Sequence, residues 1–200
     1  MMLKGIQSLD ETILIIVSHF RTPGMDAAVT SMTALGSFTV LTTFTLMAAA
    51  ILFRMRRRRD AWQLLAVNAT GAVLGRALKL IFLRVRPTVV THVVVATDYS
   101  FPSGHALASV VFYFSLTLVL CRPLQAPPTR NTRTVILLLA GTLTSLISLT
   151  RIYLGVHYPT DILCGFLLGL GWTWGFETLF SLKSVKRPTS LSTDCASTRS

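Results

Sequence analysis

Apolar residues in this chain gather into long blocks separated by short polar links. Ala27 to Phe53, Trp62 to Leu83, Gly104 to Leu120, Val135 to Thr150 and Thr160 to Phe180 are each dominated by apolar, Gly, Ser and Thr residues. Most approach the roughly 20 residues that a bilayer-crossing helix needs. The pattern predicts an all-α, polytopic membrane helix bundle with five spans. Ahead of the first block, ETILIIVSHF (residues 11–20) has too short an apolar run to cross. It predicts an amphipathic helix lying at the interface. A sixth span starting near Gly5 is the alternative, provided the bilayer tolerates Asp10 and Glu11. The stretch lacks a small-residue cleavage site, which argues against a cleaved secretory signal. Residues 1–182 read as one membrane-embedded domain. Residues 183–200, polar and rich in Ser and Thr, read as a disordered cytoplasmic tail.

Composition agrees with the blocks. With 52% hydrophobic and 14% charged residues and a mean hydropathy of +0.61, the chain is not an ordinary soluble globule. A net charge of +11 would point to nucleic acid in a soluble protein. Here the basic residues sit between the spans: FRMRRRRD at 53–60, then Arg122, Arg130 and Arg133, then Lys183, Lys186 and Arg187. With five spans these places share one side, which the positive-inside rule makes cytoplasmic. The links 84–103 and 151–159 then face the periplasmic or extracytoplasmic side of the inner (plasma) membrane. The arginine run reads as a solvated juxtamembrane anchor, and no nucleic-acid partner is expected. Cys121, Cys164 and Cys195 form no metal spacing and no obvious pair.

Once the spans are drawn, three polar clusters remain at the outward ends of helices, where ionisable groups are expensive unless paired or wet. In LGRALKLIFLRVRP (74–87), Lys79 and Arg86 are two helical turns apart, on one face and about 10 Å from each other along the axis. Pro87 disfavours helix at Arg86 and leaves it at the rim. Arg84 reads as snorkelling to headgroups. In FPSGHA (101–106), Ser103 suits an N-cap, and Gly104 allows close approach to free N–H groups that suit phosphate. His105, in the first turn, can hold a proton over whatever binds. In TRIYLGVHYPTD (150–161), Arg151 ends one span, Gly155 permits a turn and Pro159 fits a helix start. His157 and Asp161 are four apart, so the carboxylate can accept from imidazole Nδ1–H and leave Nε2 free, as for a base or nucleophile.

Together these residues suit phosphoryl transfer, in which charge on equatorial oxygens meets fixed donors and protons are managed at the attacking and leaving atoms. No carboxylate cluster suits magnesium or zinc, so neither metal nor other cofactor is expected, the cations serving instead. In order and spacing the clusters resemble the three-part signature of the type 2 phosphatidic acid phosphatase superfamily. Lys79 with Arg86-Pro87 is similar to its first motif, Pro102-Ser103-Gly104-His105 to its second, and Arg151, His157 and Asp161 to its third. Thr150 stands where the family commonly has serine.

The resemblance implies that His157 is a nucleophile forming a phosphohistidine and that Asp161 orients it. It implies that His105 protonates the leaving oxygen and then activates water, and that Lys79, Arg86, Ser103, Gly104 and Arg151 bind phosphate. Arg76 lies outside the motif and reads as a structural charge, with Glu177 or the headgroup region as its partner. His92, Asp98 and Tyr99 read as ordinary loop residues near the entrance. The expected substrate is a phosphorylated lipid in the bilayer, undecaprenyl diphosphate first, then phosphatidylglycerophosphate or phosphatidate. A non-catalytic transporter or scaffold, and a relative of vanadate-dependent haloperoxidases, are the competing readings.

Overall fold

The computed structural model describes residues 2–122 and 129–185. These form seven helices: α1 Met2–Ser18, α2 Pro23–Ala34, α3 Phe38–Arg54, α4 Arg58–Phe82, α5 Gly104–Leu120, α6 Arg130–Tyr153 and α7 Pro159–Val185. The described residues contain no strand. α4, α6 and α7 are each long and apolar enough to cross a membrane, while α5, at 17 residues, is shorter. The predicted span from Ala27 to Phe53 is broken. α2 and α3 meet at 41° and together make a fourth crossing-length segment. Sequence explains the break: Ser37 caps α3 by accepting from Val40 N–H at 3.3 Å, which restarts the helix after Gly36.

α5 forms the centre, packed against α4, α6 and α7. Its Ala106, Leu107, Val110, Val111 and Phe112 are almost fully buried. Close approach to α7 depends on two glycines one turn apart. A Cβ on Gly165 would stand 2.8 Å from the Ser103 carbonyl oxygen, and one on Gly169 would stand 2.8 Å from Val110 Cβ. Small residues at this spacing let apolar helices pack backbone to backbone in lipid. Outward faces are apolar, with Leu138, Leu139 and Leu149 of α6 and Leu163, Leu167 and Trp174 of α7 all exposed. Such a belt suits hydrocarbon and not water.

At the end of the bundle away from the three clusters, part of the arginine run proves to be an internal staple, not a solvated anchor. Arg57 holds Asp60 at 2.7 Å and the Val119 carbonyl at 2.7 Å. Arg122 bonds Asp60 at 2.5 Å and Glu177 at 2.6 Å. Gln63 also reaches Glu177, at 2.5 Å. Glu177 is therefore the partner of Arg122 and Gln63, and not of Arg76. The expected tail at 183–200 lies almost wholly outside the described residues, as do Lys186, Arg187 and Cys195.

α1 is a helix, as the pattern predicts, yet it is docked and not merely interfacial. Leu14 is fully buried with Ala106, Ile152, Tyr158 and Ile162. Asp10 is 2% exposed. Its two oxygens accept from Thr160 N–H at 3.0 Å and Thr160 Oγ1 at 2.5 Å, so a carboxylate from α1 caps the start of α7.

Candidate active site

α4 ends at Leu83, whose backbone is left-handed at φ 46°. The turn frees residues 84–86 from the helix and sends them across the mouth of the bundle. Arg84 and Arg86, separated only by Val85, take different partners. Arg86 Nη1 donates to the Val156 carbonyl at 2.5 Å and lies 3.3 Å from His157 Nε2. Arg84 Nη1 donates to Asp161 Oδ1 at 2.6 Å and to Thr160 Oγ1 at 2.8 Å. Its Nη2 donates to Asp10 Oδ2 at 3.0 Å and to Gln7 Oε1 at 2.9 Å. The guanidinium also sits 4.1 Å above the Tyr158 ring. Arg84 is thus a knot joining α1, α4 and α7, which corrects its reading as a snorkelling side chain.

The turn between α6 and α7 requires Gly155, at φ +76°, and a Cβ there would come within 3.0 Å of the Thr91 carbonyl oxygen. It carries His157, 2% exposed, to the start of α7, where Asp161 is fully buried. His157 Nδ1 is 3.6 Å from Asp161 Oδ2, longer than a hydrogen bond. Ser100 bridges the gap, its hydroxyl donating to Asp161 Oδ2 and lying 3.4 Å from His157 Nδ1. Tyr158 N–H also donates to Oδ2, at 3.0 Å. With acceptors gathered at Nδ1, that nitrogen carries the proton and Nε2 presents its lone pair toward Arg86. Burial, opposed by the contact with Asp161 and reinforced by Arg86 and Arg151, holds the His157 imidazole down to about 4. The residue is neutral at ordinary pH. Ser100, a lone serine before Phe-Pro, had no pattern in the sequence to single it out.

Lys79 is 6% exposed. Its ammonium donates to the Tyr99 carbonyl and lies 3.2 Å from Asp98 Oδ2. Asp98 Oδ1 accepts from Arg86 Nη2, and the Asp98 carbonyl accepts from Arg86 Nε at 2.8 Å. The Asp98 side chain therefore bridges the two cations of the first cluster, and is no ordinary loop residue. Partial burial raises its pKa, but hydrogen bonds and charges from Arg86 and Lys79 win, holding the carboxyl below its usual range. Tyr99 contributes only its backbone to Lys79, and His92 Nε2 is bonded to the Pro87 carbonyl at 2.7 Å.

Ser103 caps α5, its Oγ accepting from Ala106 N–H at 3.4 Å. Its own N–H is taken by the Asp161 carbonyl at 3.1 Å, which corrects the expectation that all these donors are free. The Gly104 position is open on the side of Lys79, where a Cβ would stand 3.8 Å from Lys79 Cε. His105 follows, within Coulombic reach of Arg151, His157 and Arg86. Its ring is backed by the α2/α3 break, where a Cβ on Gly36 would stand 3.3 Å from His105 Cδ2. Arg151 is 6% exposed and bonds Thr33 Oγ1 at 3.0 Å. Its buried Nε has no partner among the described residues. All three clusters thus converge on one end of the bundle.

A cation-lined mouth in an apolar helix bundle, with a carboxylate-supported imidazole beside it, suits the chemistry of a membrane phosphatase, and comparison with known proteins gives the family. Residues 60–184 match the PAP2 superfamily. Phosphatidylglycerophosphatase B of Bacillus subtilis (strain 168) is 33% identical over 167 residues, 84% of this chain and 81% of that protein. An undecaprenyl-diphosphatase of Sulfolobus acidocaldarius is 32% identical over 127 residues, 60% of this chain and 55% of that protein. A crystal structure of a transmembrane PAP2 type phosphatidylglycerolphosphate phosphatase from Bacillus subtilis superposes with a TM-score of 0.83 at 30% identity, covering 92% of this chain and 89% of that one. The chain belongs to the PAP2 superfamily, in its membrane lipid phosphatase branch. It is a hydrolase of phosphoric esters and anhydrides, which sets aside the transporter, scaffold and haloperoxidase readings.

Proposed function

We propose that this protein hydrolyses the terminal phosphate of a membrane lipid through a phosphohistidine on His157. The observation that carries the reading is the position of His157, its Nδ1 facing Ser100 and Asp161 and its Nε2 facing Arg86. A terminal phosphate displacing Asp98 would be held by Lys79, Arg86, Arg151 and the Ser103-Gly104 helix start. His157 Nε2 attacks phosphorus while the bond from phosphorus to the lipid-side oxygen breaks. The negative charge of the bound phosphate would favour a proton on His105, which gives it to the leaving oxygen. Neutral His105 then takes a proton from water as the water oxygen attacks the phosphohistidine. Inorganic phosphate and free His157 result. No step calls on a metal, and the described residues hold no group of three or more His, Cys, Asp or Glu suited to one.

Undecaprenyl diphosphate is the favoured substrate, with phosphatidylglycerophosphate and phosphatidate as the alternatives. Similarity to proteins named for the first two supports both over phosphatidate, the longer match being to the phosphatidylglycerophosphatase. The site end of the bundle faces the extracytoplasmic side of the plasma membrane, by the asymmetry of Lys and Arg between the links. The test is phosphate release from the three lipids by purified protein in detergent with EDTA present, together with acid-quench trapping of labelled phosphate on the protein. Activity that survives EDTA, and label that is lost in His157→Ala, are the expected results. A fully active His157→Ala protein would overturn the nucleophile assignment.

A further inference from the structure

Arg76 is the one arginine on the site side of α4 that the catalytic scheme leaves unused. An arginine within a crossing helix is costly unless it has a purpose there. It is exposed, and Glu177, which could have neutralised it, is committed to Arg122 and Gln63. Arg76 makes no hydrogen bond or ion pair among the described residues. It lines a cleft of about 590 Å³ together with Leu80, Arg86, Asp98 and Tyr99. The same cleft therefore holds the cation and carboxylate of the terminal phosphate site. Three residues before Lys79, Arg76 lies about 4.5 Å further from the site end along the helix axis.

Ala69, Ala72, Arg76 and Leu80 recur at three- and four-residue intervals and share one face of α4. Ala69 and Ala72 line a separate apolar groove of about 330 Å³, walled by Leu41 and Leu46 of α3 and by Val111 of α5. Reading along that face from the site end, the order is phosphate-binding cations, then a lone arginine, then hydrocarbon-lined space. A lipid with two phosphates has the same order: terminal phosphate, internal phosphate, tail.

The geometry points to Arg76 as the residue that binds the internal phosphate of a two-phosphate lipid, setting the enzyme's preference for such lipids over those with a single phosphate. This rests on the lipid phosphatase reading and names its substrate class. The shared chemistry is an anionic phosphate on the tail side of the scissile bond. A diphosphate supplies it directly and a phosphatidylglycerophosphate supplies it as a phosphodiester. A charge-assisted contact of this kind changes affinity by about tenfold or more.

Two matched pairs of lipids test it: a polyprenyl diphosphate against the same polyprenyl monophosphate, and a phosphatidylglycerophosphate against phosphatidate of the same acyl chains. For Arg76→Gln the ratio of kcat/KM within a pair is expected to fall about tenfold, mostly through KM, with Arg76→Lys recovering part of it. Each ratio comes from a single preparation, so loss of folded protein cancels. A fall in only the polyprenyl pair, or only the glycerolipid pair, supports the proposal and tells which internal phosphate Arg76 reads. Equal losses on both members of each pair, or no loss on any lipid, would overturn it. Wild-type protein inactive on all four lipids would instead overturn the phosphatase reading, and this one with it.

Discussion

Arg84 and Asp161 are joined at 2.6 Å across 77 residues of sequence, and that contact fixes the carboxylate behind His157. One oxygen of Asp161 is held by Arg84, while the other receives Ser100 and Tyr158. The carboxylate therefore has little freedom to turn. Replacing it with an amide disrupts both the tautomer and the aim of the imidazole. Asp161→Asn is expected to lower kcat by about 10²- to 10⁴-fold, with KM within a few-fold of wild type. Steady-state phosphate release measures both.

Removing Arg84 exposes the other side of the same contact. Asp161 and Asp10 are both buried, and Arg84→Gln leaves them without their cation. Breaking a buried pair in this way costs about 3 kcal/mol or more. A lower melting temperature in detergent and a reduced kcat are both expected. The double variant Arg84→Gln/Asp161→Asn should lose less than the sum of the singles, because the two side chains share one network. Full additivity would show that Arg84 acts elsewhere.

Asp98 occupies the cation pair that a phosphate needs. Asp98→Asn is expected to tighten inhibition by orthovanadate or inorganic phosphate about fivefold, in keeping with a half-exposed charge contact near 1 kcal/mol. Its carboxyl is held below the ordinary carboxylate range by Arg86 and Lys79, so it stays charged and keeps the cations occupied at and above mildly acidic pH. Across pH 5 to 8 the ratio of the two inhibition constants, variant to wild type, should therefore stay constant.

The neutral state of His157 gives a signature in stability. An imidazole in the unfolded chain titrates near 6.5, while in the fold it is held down to about 4. Between those values the unfolded chain carries the extra proton, so unfolding becomes easier as pH falls. The stability conferred by neutral burial is complete above 6.5 and is lost toward pH 4, by at most about 3 kcal/mol. Melting curves from pH 7.5 to 4.5 should fall more steeply for wild type than for His157→Gln.

Orientation is checked at Thr91, an exposed residue in the link between α4 and α5. A cysteine at that position is expected to react with an impermeant thiol reagent in intact cells. Labelling only after lysis would turn the bundle over.

The helices were readable because hydrocarbon imposes long apolar blocks, and the motif residues because ionisable groups inside such blocks stand out. The broken α2/α3 segment was not readable. Its Leu-Gly-Ser sequence is ordinary within an apolar run, and the restart depends on the hydroxyl of Ser37 turning back on the backbone. The supports of the site were hidden for a different reason. Ser100, Asp98 and Asp10 reach their partners across 61, 19 and 150 residues. No local spacing encodes such contacts. Arg84 was misjudged because an arginine past a helix end has two physically sound uses, headgroup contact and pairing. Only the folded turn at Leu83 decides between them.

Asp10 leaves the ribosome long before the groups that bind it. Arg84 follows 74 residues later and Thr160 150 residues later. At about 5–20 residues per second the wait for Thr160 is on the order of ten seconds. Until Arg84 emerges a carboxylate held within the bilayer would have no counter-charge, and until Thr160 emerges it would lack two of its hydrogen-bond donors. A first helix that stays at the water boundary until α7 is complete avoids the problem, and its docking is then the last step of assembly. On that order the N-terminal helix would close the structure after the spans it joins are in place.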